Sequence, residues 1–184
     1  MVSLTTPAGH RGWPAAPFDL FGTDGRRHTL QSIRGVNGTV VMFICNHCPY
    51  VKAVIAKIAR DMAELRQHGV GSIAVMSNDP AAYPEDSFDS MKAFATQHAF
   101  TFPYAIDETQ DIARTYGAVC TPDFFGFDRD LELAYRGRLD ASGRSSDPTA
   151  TRELFDAMVE VARTGKAPSV QHPSVGCSIK WKQG

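Results

Sequence analysis

The residues of this chain best suited to chemistry are two cysteines two residues apart, in Cys45-Asn46-His47-Cys48. They follow the apolar run Val40-Val41-Met42-Phe43-Ile44 and precede an amphipathic stretch. A dithiol between a strand and a helix reads as a redox site. The junction matters because a helix N-terminus has unpaired N–H groups and partial positive charge, which favour an anion. A cysteine placed there ionises more readily, and the thiolate is the reactive form. A histidine beside the second cysteine can further stabilise a thiolate at the first, by charge or hydrogen bond, so His47 joins the candidate site. Two plainer readings compete: buried inert cysteines, and half of a zinc site. Zinc normally takes four ligands, usually from two paired clusters. Here only the separate Cys120 and Cys177 remain, with no second CxxC and no HxxxH. No metal and no cofactor is expected.

Positioning such a pair takes a strand before it and a helix after it. The run 39–44, apolar from Val40 onward, reads as a strand buried on both faces. Val51, Val54, Ile55, Ile58, Met62 and Leu65 then share one helical face, with Lys52, Lys57, Arg60 and Glu64 elsewhere and Gly69 placed to end the helix. Pro49 is tolerated in a first helical turn but disfavours helical geometry at Cys48, so the helix starts at either Asn46 or Pro49.

The remaining elements follow from the same rules. Residues 1–16 read as an extended or mobile lead-in. A short hairpin turns at Asp24-Gly25, with Thr29-Leu30 extended. Val70–Met76 is a second buried strand. Asp86 or Ser87 caps a helix with the face Phe88, Met91, Phe94 and Ala95. Residues 102–106 form a short strand. Asp107 and Gln110 resemble a capping box opening a helix to Tyr116. A hairpin turns at Asp128-Arg129-Asp130. Asp147 and Pro148 open a last helix, and residues 166–184 drape as an extended tail. The expectation is a single α/β domain over 1–184, with a mixed central sheet and helices on both faces.

Composition narrows the function classes. With 184 residues, 43% of them hydrophobic, and a net charge of −1, the chain can bury a full core. It carries no basic block suited to nucleic acid or an acidic membrane surface. No secretory signal pattern opens it, and no apolar stretch is long enough to span a bilayer, so a cytoplasmic setting is expected. In a reducing compartment a CxxC is more often catalytic than a structural staple.

Strand, CxxC, helix, strand, and then an X-Pro opening a terminal hairpin resembles the thioredoxin fold, a three-layer α/β/α arrangement. The N-terminal hairpin and the inserted helix and strand at 86–106 resemble its peroxiredoxin-like branch (AhpC/TSA, redoxin). The segments CNHCPYVK, SNDP, DETQ, TPDFF and GCSIKW, spread between residues 17 and 182, resemble a family of small thiol-disulfide isomerase/thioredoxin proteins. That resemblance implies a thiol-disulfide oxidoreductase with Cys45 as the attacking thiol and Cys48 as the resolving one, working through a mixed disulfide. It implies a cis peptide bond at Thr121-Pro122 beside the dithiol, leaving the Thr121 backbone open to a substrate strand. It also implies a disulfide substrate and a thiol system that supplies or takes electrons. By analogy with a strong periplasmic oxidant that shares a histidine at this place, His47 would make the pair more oxidising than thioredoxin.

Two positions depart from the thioredoxin pattern. Ile44 stands where thioredoxin has Trp, and no acid lies in Thr39–Phe43 where thioredoxin has a buried carboxylate. Asp123 and Glu108 are substitutes for that acid by chain proximity alone, and Asp107, Glu108 and Asp111 read better as a solvated helix start. A thiol peroxidase is the alternative function. The peroxiredoxin Pro-x-x-x-Thr-x-x-Cys pattern, counted back from Cys45, falls on Gly38 and Met42, so neither place matches. A non-catalytic metal- or partner-binding module is the third. Cys120 and Cys177 read as buried packing residues, the second pinning the tail; the competing reading of Cys177 is a third redox thiol.

Overall fold

The computed structural model describes residues 2–183. Strand β1 (Ser3–Thr5) opens the chain, and β2 (Asp19–Gly22) and β3 (Arg27–Thr29) form the hairpin around Asp24-Gly25. The Thr29 side chain accepts from Ser32 N, and Ser32 Oγ accepts from Thr29 N. This reciprocal cap starts helix α1 (Leu30–Ile33) where the sequence suggests extended chain. Strand β4 (Gly38–Phe43) leads into the dithiol, and α2 (Pro49–Gln67) leaves it. Strand β5 (Val70–Met76), a 3₁₀ turn at Pro84–Asp86, α3 (Phe88–Gln97), β6 (Tyr104–Ile106) and α4 (Asp111–Tyr116) follow. The chain ends through β7 (Cys120–Thr121), β8 (Asp123–Phe127), β9 (Leu133–Gly137), α5 (Glu153–Thr164) and β10 (Val175–Ser178).

Seven strands make one mixed sheet in the order β3-β2-β6-β5-β4-β8-β9, with β4, β5 and β6 parallel and the other pairs antiparallel. The expected α/β architecture is therefore present. Alternation along β4 explains its unbroken apolar run. Val40, Met42 and Ile44 pack with α2, α3 and α5, whereas Val41 and Phe43 pack with α1 and α4 on the other face. No helix among the described residues is long and apolar enough to cross a membrane.

Three expectations need correcting. The last helix begins at Glu153, because the Asp147 carboxylate accepts from the Thr149 backbone and hydroxyl and so stays in a turn. Asp107 is buried rather than solvated: it accepts from Ser77 Oγ and from the N–H groups of Ile112 and Ala113, and so caps α4 from outside it. Gln110 forms no capping box; it stands in the left-handed region and donates to the carbonyls of Ser77 and Lys180.

The lead-in and the tail are both extended and held over their described residues. The lead-in lies along Leu131–Leu133 through Gly12, Trp13 and Ala15 backbone bonds. The tail supplies β10, which pairs antiparallel with β1 on one side and β7 on the other. Pairing partners far away in sequence make that strand, which local propensity does not signal.

Candidate active site

Helix α2 starts at Pro49, with Cys48 as its N-cap residue. Of the two starts open to the sequence, the proline therefore selects the later one. Cys45 ends the β4 side of the loop and Cys48 opens the helix; both are buried, and neither is in a disulfide. The Thr121-Pro122 peptide bond is cis, as the sequence reading expects. Thr121 touches both thiols: its hydroxyl lies 3.4 Å from Cys45 Sγ, and its carbonyl accepts from the Cys48 thiol at 3.1 Å.

The surroundings shift the two thiols in opposite directions. The Cys45 sulfur beside it lowers the Cys48 thiol against its burial, with Cys177, Thr121 and Val51 adding to the effect. The neighbouring Cys48 sulfur, burial and the Asp86 charge push Cys45 up. The helix start at Pro49 makes Cys48, three residues after Cys45, the residue at the N-cap, where the unpaired N–H groups lie.

The loop between the cysteines is fastened by a residue that sequence reading treats only as a helix cap. Asp86 is fully buried and accepts from Asn46 N (2.8 Å), from His47 Nδ1 (2.7 Å) and from Asn78 Nδ2 (2.8 Å). Ser87, not Asp86, caps α3. Asn46 also donates to the Glu85 carbonyl and accepts from Tyr104 Oη. The His47 ring stacks on Tyr83 with centroids 5.4 Å apart. His47 thus hydrogen-bonds a carboxylate rather than a thiol. Its pKa is raised mainly by the Asp86 bond, while the bonds from His47 and Asn78 overcome burial and lower Asp86.

This pair gives a pH prediction. A raised histidine contributes stability that is complete below its ordinary 6.5 and is lost as pH rises through its folded value. A lowered carboxylate contributes above its ordinary 3.8 and loses that contribution as pH falls through its folded value. The stability difference between wild type and His47→Gln is therefore expected to be largest between those limits and to shrink above pH 6.5. Urea unfolding at a series of pH values measures it; a flat difference would show that the pair is not an ion pair.

The two proposed proton acceptors lie elsewhere. Asp123 shares the sheet face of Phe125 and Phe127, opposite the dithiol, and pairs there with Arg136 at 3.0 Å. Glu108 is exposed. Cys120 is buried, with its thiol aimed at the Pro122 carbonyl and its pKa pushed up by burial.

The five separated segments that carry the family resemblance converge here. Asn78 of SNDP accepts from Lys180 N of GCSIKW, and Ser77 donates to Asp107 of DETQ. Gln110 of DETQ bonds Lys180 O and accepts from Lys182 N. In GCSIKW, Cys177 pairs in register with Thr121 of TPDFF. The Thr121 edge, which the resemblance leaves open to a substrate strand, is therefore occupied by the chain's own tail.

The comparisons with known proteins fit this geometry. Residues 12–136 match the AhpC/TSA family. The chain belongs to that family. An uncharacterized conserved protein from Geobacillus kaustophilus is similar at 41% identity and a TM-score of 0.95, over 100% of this chain and 98% of that one. A hypothetical protein from Sinorhizobium meliloti 1021 is similar at 32% identity and a TM-score of 0.93, over 98% and 99%. A thiol:disulfide interchange protein of the thioredoxin family from Chlorobium tepidum TLS is similar at 17% identity and a TM-score of 0.62, over 84% and 99%. This last likeness concerns the fold, which is thioredoxin-like. A search of the curated proteins finds no match. Membership of the AhpC/TSA family supports a thiol-based redox protein of thioredoxin type, an oxidoreductase or peroxidase in general terms.

Gly176 shows how tightly the tail seats. A Cβ there would lie 2.1 Å from the Thr121 carbonyl oxygen and 3.1 Å from Pro122 N. Backbone cannot yield as a flexible side chain can, so Gly176→Ala is expected to lift β10 from β7. Faster alkylation of Cys177 in that variant would report it; an unchanged rate would show that the strand accommodates the methyl group.

Proposed function

We propose that the protein is a thiol-disulfide oxidoreductase working through Cys45 and Cys48, with Asn46, His47, Thr121 and Pro122 shaping the site. The observation that carries this reading is the pair itself: two free, buried thiols that both meet Thr121 beside its cis-proline, one of them the N-cap residue of a long helix. The Cys48 thiolate attacks one sulfur of a disulfide, forms a mixed disulfide and releases the substrate's other sulfur as a thiolate. Cys45 then gives up its proton and displaces the remaining substrate sulfur. The products are a Cys45–Cys48 disulfide and two substrate thiols. The expected partners are a protein or small-molecule disulfide and a thiol system that restores the pair, in a cytoplasmic setting.

Mixing the reduced protein with a chromogenic aromatic disulfide tests this. Two thiols released per chain and a Cys45–Cys48 disulfide by peptide mapping are expected; failure to form that bond would sink the reading. A thiol peroxidase is the second reading, carried by the family match. It calls for Cys48 to be oxidised by hydrogen peroxide much faster than by the aromatic disulfide. Cys45, His47 and Asp86 also offer ligand atoms within 4.8 Å of one another, although His47 Nδ1 and Asp86 are hydrogen-bonded together. Elemental analysis of the purified protein tests a metal role.

A further inference from the structure

The dithiol has a third sulfur beside it. Strand β10 runs between β1 and β7 with Cys177 opposite Thr121, the residue whose carbonyl and hydroxyl touch Cys48 and Cys45. Cys177 is buried in the same apolar cluster as both motif cysteines. Its pairing opposite Thr121 places it on the face of β7 that meets the dithiol, and the Cys48 sulfur beside it, after burial, raises its pKa. Cys120 differs: it is one residue away on β7, opposite Ser178, and its thiol turns to Pro122. Alternation along β7 separates it from the side of Thr121.

The tail is also built to hold this place. Thr6 N donates to Ser174 O, Ser174 N donates to Thr6 Oγ1, and Ser174 Oγ donates to Gly137 O. At its other end Lys180 N donates to Asn78, which in turn donates to Asp86 beneath the dithiol loop. A packing cysteine needs neither an edge position against Thr121 nor a place in one cluster with both motif sulfurs. An extended substrate segment with its own cysteine would need both.

We propose that Cys177 is an internal redox partner of Cys48, so that the oxidised protein exchanges between a Cys45–Cys48 and a Cys48–Cys177 disulfide. This rests on the dithiol reading above. The exchange is redox-neutral: the Cys177 sulfur attacks Cys48 Sγ, the Cys45–Cys48 bond breaks, and the proton of Cys177 passes to Cys45. Starting instead from a mixed disulfide on Cys48, the same attack releases the substrate thiol, which takes that proton. Cys177 keeps its proton while Cys48 is a thiolate. Once Cys48 is in a disulfide that opposing charge is gone, and Cys177 ionises more readily.

The test uses the full chain and oxidised glutathione. In Cys45→Ser, glutathione joined to Cys48 is expected to be displaced within the experiment, leaving a Cys48–Cys177 disulfide. In Cys45→Ser/Cys177→Ser the glutathione is expected to stay. Wild type equilibrated across glutathione buffers, quenched in acid and mapped, is expected to show a Cys48–Cys177 fraction beside Cys45–Cys48. The proposal is overturned if Cys48 of Cys45→Ser remains glutathionylated while Cys177 stays open to alkylation after denaturation. It is overturned equally if Cys177 of wild type is fully alkylated at every potential that oxidises Cys45–Cys48. The absence of any Cys45–Cys48 bond in wild type would instead remove the dithiol reading, so the two failures are distinct.

Discussion

Replacing Cys48 with serine is expected to remove disulfide turnover by about 10³-fold or more, because the group that carries the charge is gone. Cys45→Ser is expected to lose steady-state turnover to a similar degree but to keep the first step. A single-turnover experiment separates them: Cys45→Ser still releases one substrate thiol in a burst, and Cys48→Ser releases none. The reason is electrostatic. Cys48 is the N-cap residue of α2 and has two other sulfurs beside it, which lower its pKa, whereas the Asp86 charge opposes ionisation of Cys45. The same difference predicts that iodoacetamide at neutral pH modifies Cys48 before Cys45. A burst in Cys48→Ser and none in Cys45→Ser would return the attacking role to Cys45, where the sequence reading puts it.

Asp86→Ala is expected to destabilise the protein by about 3–5 kcal/mol, the usual effect of removing one partner of a buried pair. The substitution strands three groups at once: the Asn46 N–H, the His47 ring Nδ1 and the Asn78 amide. Urea unfolding measures the loss, and a change under about 1 kcal/mol would show that water or rearrangement replaces the carboxylate. Asp86→Asn offers a readout that stability alone does not. It removes a negative charge that opposes ionisation of Cys45, so the Cys45 pKa is expected to fall. Thiolate absorbance followed against pH in a Cys48→Ser background reports that shift; an unchanged pKa would separate Asp86 from the chemistry and leave it a purely structural clamp.

Local sequence determined the parts of this protein whose physics is local. The β4 run is apolar at every place from Val40 because both sheet faces are covered, and that pattern is visible without a structure. The face of α2 follows from 3.6-residue periodicity, and Pro49 restricts where that helix starts. The CxxC and the Thr121-Pro122 step are legible as short motifs in the right order. Asp86 is not legible: it lies 39 residues from His47, and a buried acceptor of three bonds looks in sequence like any acid before a helix. Asp107 misleads for the same reason, since burial reverses what a run of acids suggests. The tail misleads most. Val175–Ser178 has a glycine at its second position and no strand pattern, yet pairing on both sides makes it a strand. Only that pairing brings Cys177 to Cys48 and closes the Thr121 edge, because side chains distant in sequence meet only once strand order and register are fixed.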